Sequence, residues 1–137
     1  MSNPIFHLEI PNQPRSLRVI AGALRAAMKE LGFSKPDIHH LELAVDEACT
    51  NVLEHAYPRG VKGMFEVQCF LEMGRLIVRV RDEGIPFDPF QSPVYQPGDP
   101  QSRGLGSFLM RRNTDEVRYL NLGREGKAFD LIKHLPL

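Results

Sequence analysis

The sequence predicts an α+β fold: one mixed, mostly antiparallel sheet with its helices packed on a single face. Two patterns carry that prediction. Apolar residues alternate with polar ones in paired runs, as strands of hairpins do. Two long segments instead repeat apolar residues at three- and four-residue spacing, as amphipathic helices do. Together they set the order βα, α, ββ, α, ββ, with helices between the strand pairs.

The elements follow in order. Phe6, Leu8 and Ile10 alternate with His7 and Glu9, a first strand that stops at Pro11. Pro14 or Ser16 opens a helix whose stripe is Leu17, Ile20, Ala21, Leu24, Met28 and Leu31, with Gly32 as its stop. Ser34 or Asp37 caps a second helix, striped by Ile38, Leu41, Val45, Ala48 and Val52 until Pro58 and Gly60 end it. Phe65, Val67, Cys69 and Leu71, a tight turn at Gly74-Arg75, and Leu76, Val78 and Val80 form a hairpin with one buried face.

From Glu83 to Arg103 the chain carries Pro86, Pro89, Pro93, Pro97 and Pro100, which excludes a regular element across most of it. Compact domains seldom keep about 20 structureless residues unless these cover a site or are disordered, so a lid is expected. Gly104-Leu105-Gly106 opens a short helix through about Asn113. Glu116 to Leu120 and Lys127 to Leu135 are strands, joined by a turn around Gly123 to Gly126.

At 137 residues, 42% hydrophobic and 25% charged, the chain suffices for one packed core and is short for two, which predicts a single domain over 1–137. Lys and Arg number 17, as do Asp and Glu. That balance leaves no net field to hold nucleic acid or an anionic membrane. The opening MSNPIFHLEIPNQ has neither a basic nor an apolar targeting region, and no stretch is long enough to cross a bilayer, so a cytoplasmic location is expected. Cys49 and Cys69 each lie inside an apolar pattern and are expected as buried free thiols.

Three segments carry chemistry. On the second helix Glu47 and Asn51 are four apart, with Thr50, Glu54 and His55 near the same line. A carboxylate there can take a proton, and a carboxamide can give an oxygen to magnesium; a solvated helix face shows the same pattern. In Val80-Arg81-Asp82-Glu83-Gly84-Ile85-Pro86, an aspartate at a strand end can accept from an exocyclic amine, and the glycine admits a flat ring. An ordinary strand exit uses the same residues. In Arg103-Gly104-Leu105-Gly106-Ser107-Phe108-Leu109-Met110, a glycine turn runs into a helix whose amides suit phosphate, though a lone GxG also describes a flexible junction.

In order and spacing these segments resemble the N, G1 and G2 boxes of the GHKL ATP-binding superfamily. Residues 47–57, 82–89 and 104–110 look most like its stand-alone anti-sigma-factor serine kinases, the RsbW and SpoIIAB kind, as does the closing Asp115-Glu116-Val117-Arg118-Tyr119. The resemblance implies a Bergerat-type two-layer sandwich with a lid, binding ATP and magnesium. It implies Glu47 as general base toward a target serine, Asn51 as magnesium ligand, Asp82 as receptor of the adenine amino group and Gly84 as the gap that lets adenine approach. Gly104, Leu105 and Gly106 would hold phosphates, Arg103 and the preceding loop would close over the nucleotide, and His55 would pack or hydrogen-bond beneath the site.

The same resemblance implies a STAS-type anti-anti-sigma protein as the phosphorylated partner, a sigma factor as a second partner, and a homodimer. Two positions depart from the pattern. Pro86 stands where a more typical member has a second glycine, and Gly126-Lys127-Ala128-Phe129-Asp130-Leu131 replaces the usual glycine, asparagine and β-branched run, which leaves adenine contacts from the last strand open. The chain lacks the phospho-accepting helical hairpin of histidine kinases; His39-His40 is expected as a solvated or half-buried pair. Two other functions remain in view: a nucleotide-dependent binding module with little kinase turnover, and a nucleotide-free scaffold with a decayed site.

Overall fold

The computed structural model describes residues 2–58, 60–85 and 105–136. The expected lid at 83–103 therefore falls almost wholly outside the described residues, as do Pro86, Arg103 and Gly104.

Strand β1 (Asn3–Pro11) leads into α1 (Pro14–Glu30) and α2 (Lys35–Asn51). Proline at the first turn costs α1 no hydrogen bond, since the amide there has no acceptor. Ser16 instead ties the helix start to the strand, its hydroxyl donating to the Pro11 carbonyl at 2.6 Å. Ser34 caps α2, its Oγ accepting from the Asp37 amide. After Asn51 the helix widens into a π-turn, Val52–Ala56, before the chain becomes extended at Tyr57. That change of winding is one the 3.6-residue pattern does not foretell.

The hairpin β2 (Met64–Glu72) and β3 (Arg75–Asp82) turns through Met73 and Gly74, both at positive φ (52° and 77°). The turn thus falls one residue earlier than Gly74-Arg75, because Glu72 pairs with Arg75 and a two-residue loop of this hand fits the strand twist. Helix α3 (Leu105–Arg112), β4 (Glu116–Asn121), a 3-10 turn at Gly123–Glu125 and β5 (Lys127–His134) complete the described fold.

The sheet order is β1-β2-β3-β5-β4, and every pairing is antiparallel. The expected parallel component is present only as direction. β3 and β4 run the same way, joined through α3, but β5 sits between them and pairs with both. Two helices between β1 and β2 return the chain so that these strands also run antiparallel.

One face of the sheet is apolar. Phe65, Val67 and Cys69, Leu76, Val78 and Val80, and Phe129 and Leu131 pack in one cluster with Leu24 and Met28 of α1, Leu41, Val45 and Cys49 of α2, and Met110 of α3. Both cysteines are free and buried, as expected. Cutting a fully buried leucine such as Leu41 to alanine costs about 2–5 kcal/mol.

The opposite face is held by charge. Arg79 donates two parallel bonds, 2.7 and 2.8 Å, to the buried Asp130 directly across β5. Arg81 pairs with Glu66 and Glu83, and Glu66 also accepts from His7. Arg75 and Arg118 share Glu116. Successive strand residues point to opposite faces, so the same alternation that makes the core also aligns these charges.

Candidate functional site

The polar stripe of α2 meets the first turn of α3. A Cβ placed on Gly106 would stand 3.2 Å from Glu47 Oε2, 3.8 Å from Asn51 Nδ2 and 3.9 Å from Asn51 Oδ1. Glu47, Asn51 and the α3 start therefore converge, although 55 residues separate Asn51 from Gly106 in sequence. The first amides of an α-helix have no acceptor within the helix, so the α3 start adds donors to this corner.

Asn51 Nδ2 is buried and has no hydrogen-bond partner among the described residues. A buried donor left in this state costs about 1–3 kcal/mol. Native interiors seldom tolerate that without a purpose. Glu47 is half-buried, and its carboxyl is held above the ordinary range, chiefly by desolvation and further by the charges of Asp46 and Glu54.

The second cluster lies at the end of β3. The Asp82 carboxylate is buried, and its Oδ1 accepts from the Gly84 amide at 2.9 Å and from Lys127 Nζ at 2.8 Å. Lys127, directly across β5 and only 6% exposed, also donates to the Ile85 carbonyl at 2.6 Å. Gly84 lies against the π-turn: a Cβ there would sit 1.9 Å from the Ala56 carbonyl oxygen, which accepts from the Ile85 amide at 2.5 Å. The lack of a side chain at 84 is thus required by the protein's own backbone.

Of the residues singled out from sequence, Glu47, Asn51 and Gly106 share one corner, and Asp82 and Gly84 share the other. Leu105 contributes the first residue of α3. His55 lies in the π-turn with an exposed side chain, its Nε2 3.7 Å from the Glu54 carboxylate. His39 and His40 are both exposed. Lys127 is the residue that sequence reasoning passed over. A lysine at the head of the apolar run Ala128-Phe129 was its signal, and the departure from the usual pattern at 126–131 was where to look.

An acid–amide pair on a helix, a glycine-led helix start above it and a buried aspartate at a strand end are what a histidine kinase-like ATPase domain provides. The family model described as "Histidine kinase-like ATPase domain" matches residues 10–133. "Serine-protein kinase RsbW" of Bacillus subtilis (strain 168) is 33% identical over 138 residues, covering 95% of this chain and 85% of the relative. The protein of the same name from Bacillus cereus (strain AH820) is 29% identical, covering 95% and 84%. Among solved structures, the RsbU and RsbW domains of Rv1364c from Mycobacterium tuberculosis align with a TM-score of 0.69 at 21% identity. The alignment covers 96% of this chain and 33% of that one, and the likeness is one of fold. The chain belongs to the histidine kinase-like ATPase domain family and, within it, to the RsbW serine-protein kinases.

Proposed function

We propose that residues 1–137 act as one nucleotide-binding domain that binds ATP with magnesium and transfers the γ-phosphoryl group to a serine of a STAS-type anti-anti-sigma protein. A sigma factor is its second partner, and the working form is a cytoplasmic homodimer. Among the described residues no helix is long and apolar enough to cross a membrane. The observation that carries the proposal is the buried, unpartnered Asn51 amide beside Glu47 and under Gly106.

The residues fit the group they would hold. A half-turn of the Asn51 carboxamide exchanges nitrogen for oxygen, and magnesium prefers oxygen ligands. When bound, magnesium draws charge from the phosphate oxygens. Gly106 leaves room beside Asn51 that any side chain would take. The amides of Gly104, Leu105 and Gly106, with Arg103, hold the phosphates, and Asp82 receives the adenine amine with Gly84 beside it.

Glu47 acts on the partner's serine. Its carboxylate takes the hydroxyl proton as the serine oxygen forms its bond to phosphorus and the bond to the ADP oxygen breaks. Partial burial and the charges of Asp46 and Glu54 make Glu47 a stronger base than an exposed glutamate. Positioning and charge neutralisation supply most of the rate in such transfers, so this small set suffices.

Labelled ATP and purified STAS proteins test the proposal. The wild-type chain is expected to label one serine, and Glu47→Ala to bind ATP and label none. Normal labelling by Glu47→Ala would remove the base assignment. Complex formation with every serine unlabelled would make the chain a nucleotide-dependent binding module instead.

A further inference from the structure

The buried ammonium of Lys127 has no part in the scheme above, yet it touches the residue assigned to the base. Both hydrogen bonds to the Asp82 carboxylate fall on Oδ1, one from Lys127 and one from the Gly84 amide. Asp82 Oδ2 accepts nothing among the described residues. Lys127 spends one N–H on Oδ1 and a second on the Ile85 carbonyl, and an ammonium carries three. The third is unassigned among the described residues. The cross-strand pairing of Asp82 with Lys127 fixes these groups relative to each other, and both side chains are almost fully buried, at 2% and 8% exposure.

An acceptor and a charged donor therefore stand side by side at the end of β3. We infer that Lys127 is a specificity-determining residue of the base subsite, donating to the ring nitrogen N1 of adenine while Asp82 Oδ2 accepts from the neighbouring exocyclic amine. The inference rests on the nucleotide-binding reading above and goes beyond it by naming a second base contact, one from the last strand.

The chemistry of the purine edge makes the pair selective. Adenine presents a donor at its amine and an acceptor at N1, matching Oδ2 and the ammonium. In the same pose guanine presents O6 to the carboxylate and N1–H to the ammonium, acceptor against acceptor and donor against donor. A neutral residue at 127 would leave the carboxylate contact and remove the reading of N1. Discrimination of this sort depends on one buried polar group being left unpaired by the wrong base.

The test uses calorimetry on the full chain with ATP, 1-deaza-ATP, 7-deaza-ATP and GTP, each with magnesium. In 1-deaza-ATP a C–H replaces N1 and the amine is kept. The wild-type chain is expected to bind 1-deaza-ATP about ten- to a hundredfold more weakly than ATP, the worth of a hydrogen bond to a charged group. It should bind 7-deaza-ATP as it binds ATP. In Lys127→Met the ratio between ATP and 1-deaza-ATP should fall to within about twofold, whatever the change in absolute affinity.

The wild-type comparison needs no variant, so poor folding of Lys127→Met leaves the inference falsifiable. Equal binding of ATP and 1-deaza-ATP by the wild type would overturn the role of Lys127 and leave nucleotide binding intact. An unchanged ratio in Lys127→Met would do the same. A wild-type chain that binds none of the four would overturn the nucleotide-binding reading and this inference with it.

Discussion

Gly84→Ala isolates the close approach of the β3 exit to the π-turn. Gly84 is not among the residues at positive φ, so alanine meets no backbone strain there and the cost is steric. The new Cβ would stand 1.9 Å from the Ala56 oxygen, 2.5 Å from its carbonyl carbon and 2.8 Å from its Cβ. Ordinary contact requires the two segments to part by about 1.5 Å. That movement breaks the bond from the Ile85 amide to Ala56. Overpacking of this kind costs about 1–3 kcal/mol and the lost hydrogen bond about 1 kcal/mol, giving about 2–4 kcal/mol together. For a chain of this length, each kcal/mol lowers Tm by about 3.5 °C, so a fall of about 7–14 °C is expected in a thermal melt without nucleotide. Gly22, within α1, is the matching control. A Cβ there meets nothing within 4 Å, and alanine should stabilise by about 0.5–1 kcal/mol. A Gly84→Ala melt within about 2 °C of wild type would refute the steric reasoning. Loss of ATP binding alongside that unchanged melt would show that the glycine serves the ligand alone.

Other outcomes are equally direct. Asn51→Ala removes a buried donor that has no partner, so urea denaturation of the nucleotide-free chain should show no loss of stability although ATP binding disappears; a loss above about 1 kcal/mol would count against the orphaned amide. Glu47→Gln should stabilise the chain near neutral pH. The Glu47 carboxyl is raised above its ordinary 4.5 in the folded state, so its contribution is fully present below the unfolded value and lost as pH rises through the folded one. The gap between variant and wild type should therefore close toward acid pH in denaturation curves, and a gap that widens there would reverse the sign. Burial pushes the Cys69 thiol up to about 12 and raises Cys49 further, so neither should react with a thiol reagent until denaturant is added. Fast labelling of the native chain would show that one of them is reachable.

What the sequence made legible was whatever repeats locally. The spacing of Leu41, Val45 and Ala48 places Glu47 and Asn51 on a shared polar line without any knowledge of the sheet. The alternation through Val67, Cys69, Val78 and Val80 does the same for the hairpin. Met73 gave no turn signal, since only the pairing of Glu72 with Arg75 forces it to positive φ. The π-turn at Val52–Ala56 was hidden because a change of winding leaves the residue types unchanged. Lys127 acquires meaning only from the pairing of β3 with β5, which sets it across from Asp82, 45 residues earlier. Gly106 could be read as a helix opening but not as a lid on Glu47, because that follows from how α3 rests on α2. Distance in sequence hid the roles of Lys127 and Gly106, whereas the Met73 turn and the π-turn are local changes of backbone that residue type does not mark.

The position of β5 also imposes an order of assembly. A chain emerging from the ribosome makes α2, β3 and α3 before it makes Lys127–His134, so Glu47, Asn51 and Gly106 can gather while Asp82 still lacks its lysine. β4 is synthesised earlier still than the strand it pairs with, and has no neighbour in the sheet until β5 slides between it and β3. The pairing of β3 with β5 is non-local and forms late, because the intervening loop must close first. The corner of Glu47, Asn51 and Gly106 can thus exist in a half-made molecule, whereas the pair of Asp82 and Lys127 cannot. The proposed nucleotide site is complete only once β5 has taken its place between β3 and β4.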